Sequence, residues 1–294
     1  MKAFSARSRP MLAGGTCAVV MIVMAGCSSG GGAATNADET TSSSSTAAPA
    51  DLQPTPETGP DLPPGADDLV GRWAHFDAVA YEDDVFRSYI ISTGFSDIEL
   101  RDGVLWNTQR FCHADMENDQ GIETSISDEA TSAIIPVDTP LEVSAEDGRL
   151  RVERPATPTP IGIALEDPAT DVLPTDPDDP RIIDSDGDGF PGVTAHIKIS
   201  EDLEGDLYLA RREIFAYDVT EQTPDRFEGS ITDRSEQLII GATDDIFLTP
   251  AQWVQHPDPA RNPVIWQRVD ESWDCQQLAL ERNDLFPPNP PIDW

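Results

Sequence analysis

The chain has 294 residues, with 54 acidic against 19 basic side chains and a formal net charge of −35 at pH 7. Such an excess of acid excludes a nucleic-acid binder, whose affinity comes mainly from Lys and Arg on phosphates, and it repels anionic lipid headgroups. It suits a soluble body that meets divalent cations or basic partners.

Lys2, Arg7 and Arg9 form a basic start, Cys17 to Val23 an apolar run, and Met24-Ala25-Gly26-Cys27 a group of small residues at a cut. These parts describe a secretory signal peptide over 1–26, too short to span a bilayer. Its Ala-Gly-Cys ending resembles the lipobox of bacterial lipoproteins, with Met24 in place of the more usual Leu. The resemblance implies that Cys27 carries the lipid (palmitate included), becomes the mature N-terminus, and holds an extracytoplasmic protein on the cell membrane or envelope. Residues 27–66 are Ser, Gly, Ala, Thr, Pro and acid. They cannot bury a core and form a disordered tether, with a flexible-coil reach of roughly 35 Å. Cys17 leaves with the signal and Cys27 takes lipid, so Cys112 and Cys275 remain. In an exported protein two such cysteines read as one disulfide. Cys112-His113 with Asp115 lacks the spacing of a zinc site.

The rest reads as one β domain over 67–283, with a Pro-rich tail over 284–294. Phe86 to Leu100, then Asp102-Gly103, then Val104-Leu105-Trp106 is a hairpin pattern. Glu142-Val143, Asp147-Gly148 and Leu150 to Glu153 repeat it. Further strands are expected at Val193–Ile199, Asp206–Tyr217, Arg226–Thr232, Gln237–Ile240 and Val264–Val269. Val193, Ala195, Ile197 and Ile199 alternate with polar residues, the mark of a half-buried strand. Helices are few: Thr249 caps a short one with Pro250 at its first turn, and Asp274 to Arg282 forms another. The fold class is mainly β, an antiparallel sandwich or barrel. Gly71-Arg72-Trp73 on the first strand, with Arg268 on a late one, resembles the Gly-x-Trp and arginine-over-tryptophan pairing of lipocalins. A proline-rich stretch from Pro155 to Pro180 interrupts the run of hairpins that such a barrel needs.

Asp184-Ser185-Asp186-Gly187-Asp188-Gly189-Phe190 is the strongest internal motif. Hard Ca²⁺ takes six to eight oxygens, and aspartates at positions 1, 3 and 5 supply three. Gly189 falls at the sharp turn, and Phe190 offers its backbone carbonyl. The pattern is similar to EF-hand, dockerin and thrombospondin type-3 loops. Ala195 stands where an EF-hand has its bidentate glutamate, so the remaining ligands must come from elsewhere. Asp176, Asp178 and Asp179 are the nearest. Gly187-x-Gly189-x-x-Gly192 has dinucleotide-fingerprint spacing, but the aspartates repel a pyrophosphate and Pro191 interrupts the helix it must open. The run from Leu173 through Thr194, with His256 to Arg261, resembles an uncharacterised group of exported bacterial proteins and implies a common fold without an activity.

No catalytic residues are assigned: the chain has no Gly-x-Ser-x-Gly elbow, His-Glu-x-x-His or P-loop. His75, His113, His196 and His256 are spread along it, and Trp253, Trp266 and Trp273 are candidates for a surface patch. The expected function is a non-enzymatic, membrane-anchored, calcium-binding monomer that takes an unknown protein, glycan or small-molecule ligand. A secreted hydrolase built from scattered carboxylates and a lipocalin-like carrier of an apolar ligand are the alternatives.

Overall fold

Asp102 and Gly103 take φ of 51° and 80°, and Asp147 and Gly148 take 52° and 78°. Two successive left-handed residues make the type I′ turn, whose twist matches the strands it joins. The computed structural model describes residues 62–82, 86–132, 134–248 and 254–294. In it these turns join β2 (Arg87–Arg101) to β3 (Val104–Asn118) and β6 (Glu142–Glu146) to β7 (Arg149–Ile161). Ahead of them β1 (Gly71–Glu82) pairs with β2 along its whole length. Between the hairpins lie β4 (Glu123–Ile126), α1 (Asp128–Ser132) and β5 (Asp138–Pro140). There follow β8 (Val193–Ser200), β9 (Leu203–Thr223), β10 (Arg226–Asp233), β11 (Glu236–Ala242), β12 (Val254–Gln255), β13 (Pro263–Arg268) and α2 (Cys275–Leu285). Cys27 and the helix expected at 249–253 lie outside the described residues.

The pairings form a ring: β1–β2–β3–β4–β8–β9–β10–β13 and back to β1, all antiparallel. Of the two expected architectures, this is the barrel. β9, 21 residues long, holds it together at two levels. Its first half runs between β8 and β11, its second between β7 and β10.

The irregular interruption begins after Ile161, since β7 continues through Pro155, Pro158 and Pro160. A register shift between Arg154 and Thr157 accommodates the first proline. The alternate spacing of the other two lets their missing N–H groups fall away from β9, on a side where β6 has already ended its pairing at Glu153.

β1 separates two cores. Trp73, Val79 and Tyr81 join the barrel interior, while Ala74, Phe76, Ala78 and Ala80 lie beneath Leu278 of α2 and Phe286. The tail folds back too: Trp294 meets Tyr89 edge-on at 5.1 Å, under the Arg261 guanidinium. Trp266 is fully buried, so it belongs to the core and not to a surface patch. Among the described residues no helix is long and apolar enough to cross a membrane.

At the closed end, a 3-10 turn at Ala66–Leu69 precedes β1, and Trp73 Nε1 donates to the Leu69 carbonyl at 2.9 Å. The Arg268 guanidinium lies 4.2 Å over the Trp73 ring and donates to the carbonyls of Val70 and Asp68. Gly71 leaves room for it, because a Cβ there would sit 3.2 Å from Arg268 Nη1. The residues that carry the resemblance to lipocalins are thus in contact.

Cys112 on β3 and Cys275 at the start of α2 are joined as a disulfide, with 5.3 Å between their Cα atoms and a separation of 163 residues. Asp274 caps the helix by accepting from Gln277 N–H at 2.9 Å. Replacing both cysteines by alanine is expected to lower stability to urea by as much as roughly 4–5 kcal/mol, from the chain entropy of so long a loop. A midpoint unchanged by the double replacement would refute that role.

Candidate functional site

β9 presents Leu207, Leu209, Arg211, Glu213, Phe215, Tyr217 and Val219 at alternate positions, and β1 presents Trp73, His75, Asp77 and Val79 likewise. In a closed barrel the charged members of such a face must satisfy one another, because unpaired buried charge is costly. Tyr217 Oη donates to Asp77 Oδ2 at 3.0 Å and accepts from Gln109 Nε2 at 2.6 Å. His75 Nε2 lies 3.8 Å from the same carboxylate. Arg154 of β7 spans the next position, donating to the Phe215 carbonyl at 3.0 Å with its guanidinium 5.2 Å over the Tyr217 ring. Arg211 lies 3.7 Å from Glu213 and 3.7 Å from Asp233, and Asp233 accepts from Tyr81 Oη.

Burial sets the charge states. Asp77 and Glu213 are both pushed up to about 7, in each case first by loss of solvent. For Asp77 the Tyr217 hydrogen bond opposes that shift, and for Glu213 the Arg211 charge does. His75 is pushed down to about 3 by burial and then by Arg154, so its ring is neutral. Among the described residues, His75 Nδ1, Asp77 Oδ1 and Arg154 Nε have no hydrogen-bond partner.

Above this layer the barrel opens into a cavity of about 60 Å³, walled by Ile90, Phe111, Ile126, Ile161, Val193 and Leu209. Ala130 and Thr131 of α1 close part of its mouth, and Ser92, Arg211 and Glu213 supply its polar lining. Phe111 and Glu213 also border a void of about 10 Å³ that reaches Gln109 and Arg154. The cavity thus borders the buried charges at Arg211 and Glu213. Of the two barrel-interior carboxyls with raised pKa, Glu213 lines it and Asp77 does not.

A second acidic site is the loop ahead of β8. One carboxylate oxygen from each of Asp184, Asp186 and Asp188 lies within 4.8 Å of the others. Asp184 accepts from Gly187 N–H at 2.7 Å and from Gly189 N–H at 3.0 Å, wrapping the turn around itself. Asp188 accepts from Phe190 N–H at 2.8 Å, and Asp186 accepts from Thr194 N–H at 2.9 Å. The other Asp186 oxygen is buried, with no hydrogen-bond partner among the described residues. Its pKa is raised, by burial first and also by the neighbouring Asp188 charge. The Phe190 ring stacks on Tyr208 at 4.7 Å. Asp176, Asp178 and Asp179 do not join this group. Asp176 accepts from Asp178 N–H, and Asp179 is paired with Arg181 at 3.0 Å.

The other histidines are accounted for locally. His256 accepts from Asp258 N–H in its turn, and the exposed His196 pairs with Asp206 at 2.9 Å. His113 sits between Asp115 at 3.0 Å and Asp128 at 2.6 Å. Sequence reading gave His75 no role and left out Asp77, Arg154, Arg211 and Glu213. Their signal is a charged side chain at an inward position of an otherwise apolar alternation. No protein-family model, curated protein or solved structure matches the chain.

The buried groups give the fold a pH dependence. Folded Asp77 and Glu213 keep protons up to about pH 7 that an unfolded chain releases near pH 4. Their contribution is therefore full below about pH 4 and is lost as pH rises through 7. His75 acts in the opposite sense, favouring the folded state as pH rises toward 6.5, and one imidazole does not offset two carboxyls. Asp77→Asn, fixed in the neutral form, is expected to gain stability relative to the parent between pH 5 and pH 8, read as the difference in urea midpoint. A difference that stays constant with pH would show that Asp77 is ionised throughout.

Proposed function

We propose that this protein is a lipid-anchored, extracytoplasmic β-barrel that binds a small ligand in its mouth without chemically changing it. The observation that carries this reading is the cavity itself: apolar walls on six strands, with Arg211 and Glu213 as a polar inner end. Apolar walls with a few convergent polar groups are the common composition of small-molecule sites. A hydrolase using two carboxyls needs both at the substrate, and only Glu213 reaches this cavity. The lipobox pattern around Cys27 and the acidic tether support display at a membrane surface.

The second part of the proposal is a structural calcium ion in the aspartate loop. Asp184, Asp186 and Asp188 would hold it with the Phe190 carbonyl, and water would complete the shell. The buried, unpartnered Asp186 oxygen fits that donor set. A bound cation would neutralise carboxylates that otherwise repel one another across the turn.

Two measurements test the reading. Titrating n-butanol into the soluble domain should shift the amide resonances of Ile126, Ile161, Val193 and Leu209 in a saturable way. The absence of any saturable shift would sink the binding role. Separately, Ca²⁺ at about ten times its dissociation constant should stabilise the domain by about 1.4 kcal/mol, and Asp186→Asn should abolish the gain. A melting temperature indifferent to millimolar Ca²⁺ would remove the metal from the proposal and leave the cavity untouched.

A further inference from the structure

The cavity's inner end has an unbalanced charge. Glu213 faces Arg211 on its own strand, Asp233 on β10, Arg154 on β7, and Asp77 with neutral His75 on β1. The other facing strands add Ser92, Gln109 and Val193, none of them charged. Above about pH 7, where Asp77 and Glu213 are both ionised, the enclosed set therefore holds three charged acids against two arginines. Both arginines are already engaged, Arg211 by Glu213 and Asp233 and Arg154 by the Phe215 carbonyl. The one arginine that lines the cavity, Arg211, already lies between Glu213 and Asp233, so an anionic head group there would add to the negative excess. A cationic head group would restore neutrality.

We propose that the ligand is a short-chain primary amine, its ammonium against Glu213 and its alkyl chain between Ile161, Val193 and Leu209. This rests on reading the cavity as a binding site, and it names what that site selects. An ammonium brings three donors and no acceptor. The Glu213 carboxylate and the Ser92 hydroxyl line the same space as acceptors. The enclosed volume of about 60 Å³ limits the chain to a few carbons. Below about pH 7 the Glu213 carboxyl must first release its proton to solvent before the ammonium can take its place beside the carboxylate, whereas above pH 7 the ammonium meets a carboxylate already ionised. Glu213 is raised to about 7, while the alkylammonium stays charged through neutral pH. Amine affinity should therefore climb as pH rises through 7.

The experiment compares n-butylamine, n-butanol and butyrate, which share a chain and differ in head group, by NMR titration of the soluble domain at pH 6 and pH 8. The amine is expected to bind about tenfold more tightly than the alcohol at pH 8, the scale of a charge-assisted hydrogen bond, and butyrate most weakly. The amine's advantage should shrink at pH 6, while alcohol affinity stays flat. In Glu213→Gln the amine should lose its lead over the alcohol. Should that variant fail to fold, the pH series on the parent protein carries the same test. Butanol or butyrate binding as tightly as the amine would overturn the assignment while leaving a binding cavity. Failure of all three would overturn the cavity reading as well.

Discussion

Closure of the sheet between β9 and β10 is the constraint from which the rest follows. An eight-strand ring has an interior just wide enough for side chains to fill, and closing it removes the open edges along which sheets aggregate. Every inward position on every strand is then withdrawn from water together. Trp73, Trp266 and Phe227 fill the end that Arg268 covers, with no measurable exposure beyond 1%. What stands at the inward positions further up is no longer a local matter, because a charge there has only the opposite wall to answer it.

That is why the polar layer has the form it does. Asp77 on β1 is met by Tyr217 on β9, and Tyr217 by Gln109 on β3. Arg211 draws its partners from β9 and β10. Apart from Arg211–Glu213, which runs along β9, each of these links crosses the barrel or joins neighbouring staves, so the layer is complete only when the ring is closed. Buried ion pairs are poor sources of stability, since desolvation offsets most of the Coulomb gain and well-packed apolar residues often serve as well. Six acidic or basic side chains around a barrel axis, some with atoms left unpartnered among the described residues, are therefore hard to explain as packing alone. Their position below an apolar cavity gives them something to face.

The hairpins were legible because Asp-Gly between β-rich runs states a local rule that the chain obeys without reference to its neighbours. The disulfide was legible from compartment and count: once Cys17 and Cys27 are assigned to export, Cys112 has one partner left. The aspartate turn at 184–190 was legible for the same local reason. The polar interior was not, because Glu213 on a solvated strand and Glu213 inside a barrel have identical local sequence. Only the ring decides which face of β9 is inside. β7 misled for a related reason. Its prolines argue against a strand only where the ladder is paired on both sides, and whether the half from Thr157 to Ile161 is so paired depends on where β6 ends.

The same closure ties the aspartate loop to the cavity. The excursion between β7 and β8 leaves at Ile161 and returns at Val193, and both residues wall the cavity. Its base is stitched shut: Ile183 N–H donates to the Gly162 carbonyl, Gly192 N–H to the Ile183 carbonyl, and Gly162 N–H to Ser185 Oγ. Gly192 lies so close to β9 that a Cβ would collide with the Leu209 carbonyl, and the Leu209 side chain is itself cavity wall. A turn that opened would have to move Gly192 off Leu209 or part Ile161 from Val193. Either movement reshapes the wall. The geometry of the three carboxylates and the width of the barrel mouth are thus not separate features, since one set of backbone contacts holds both.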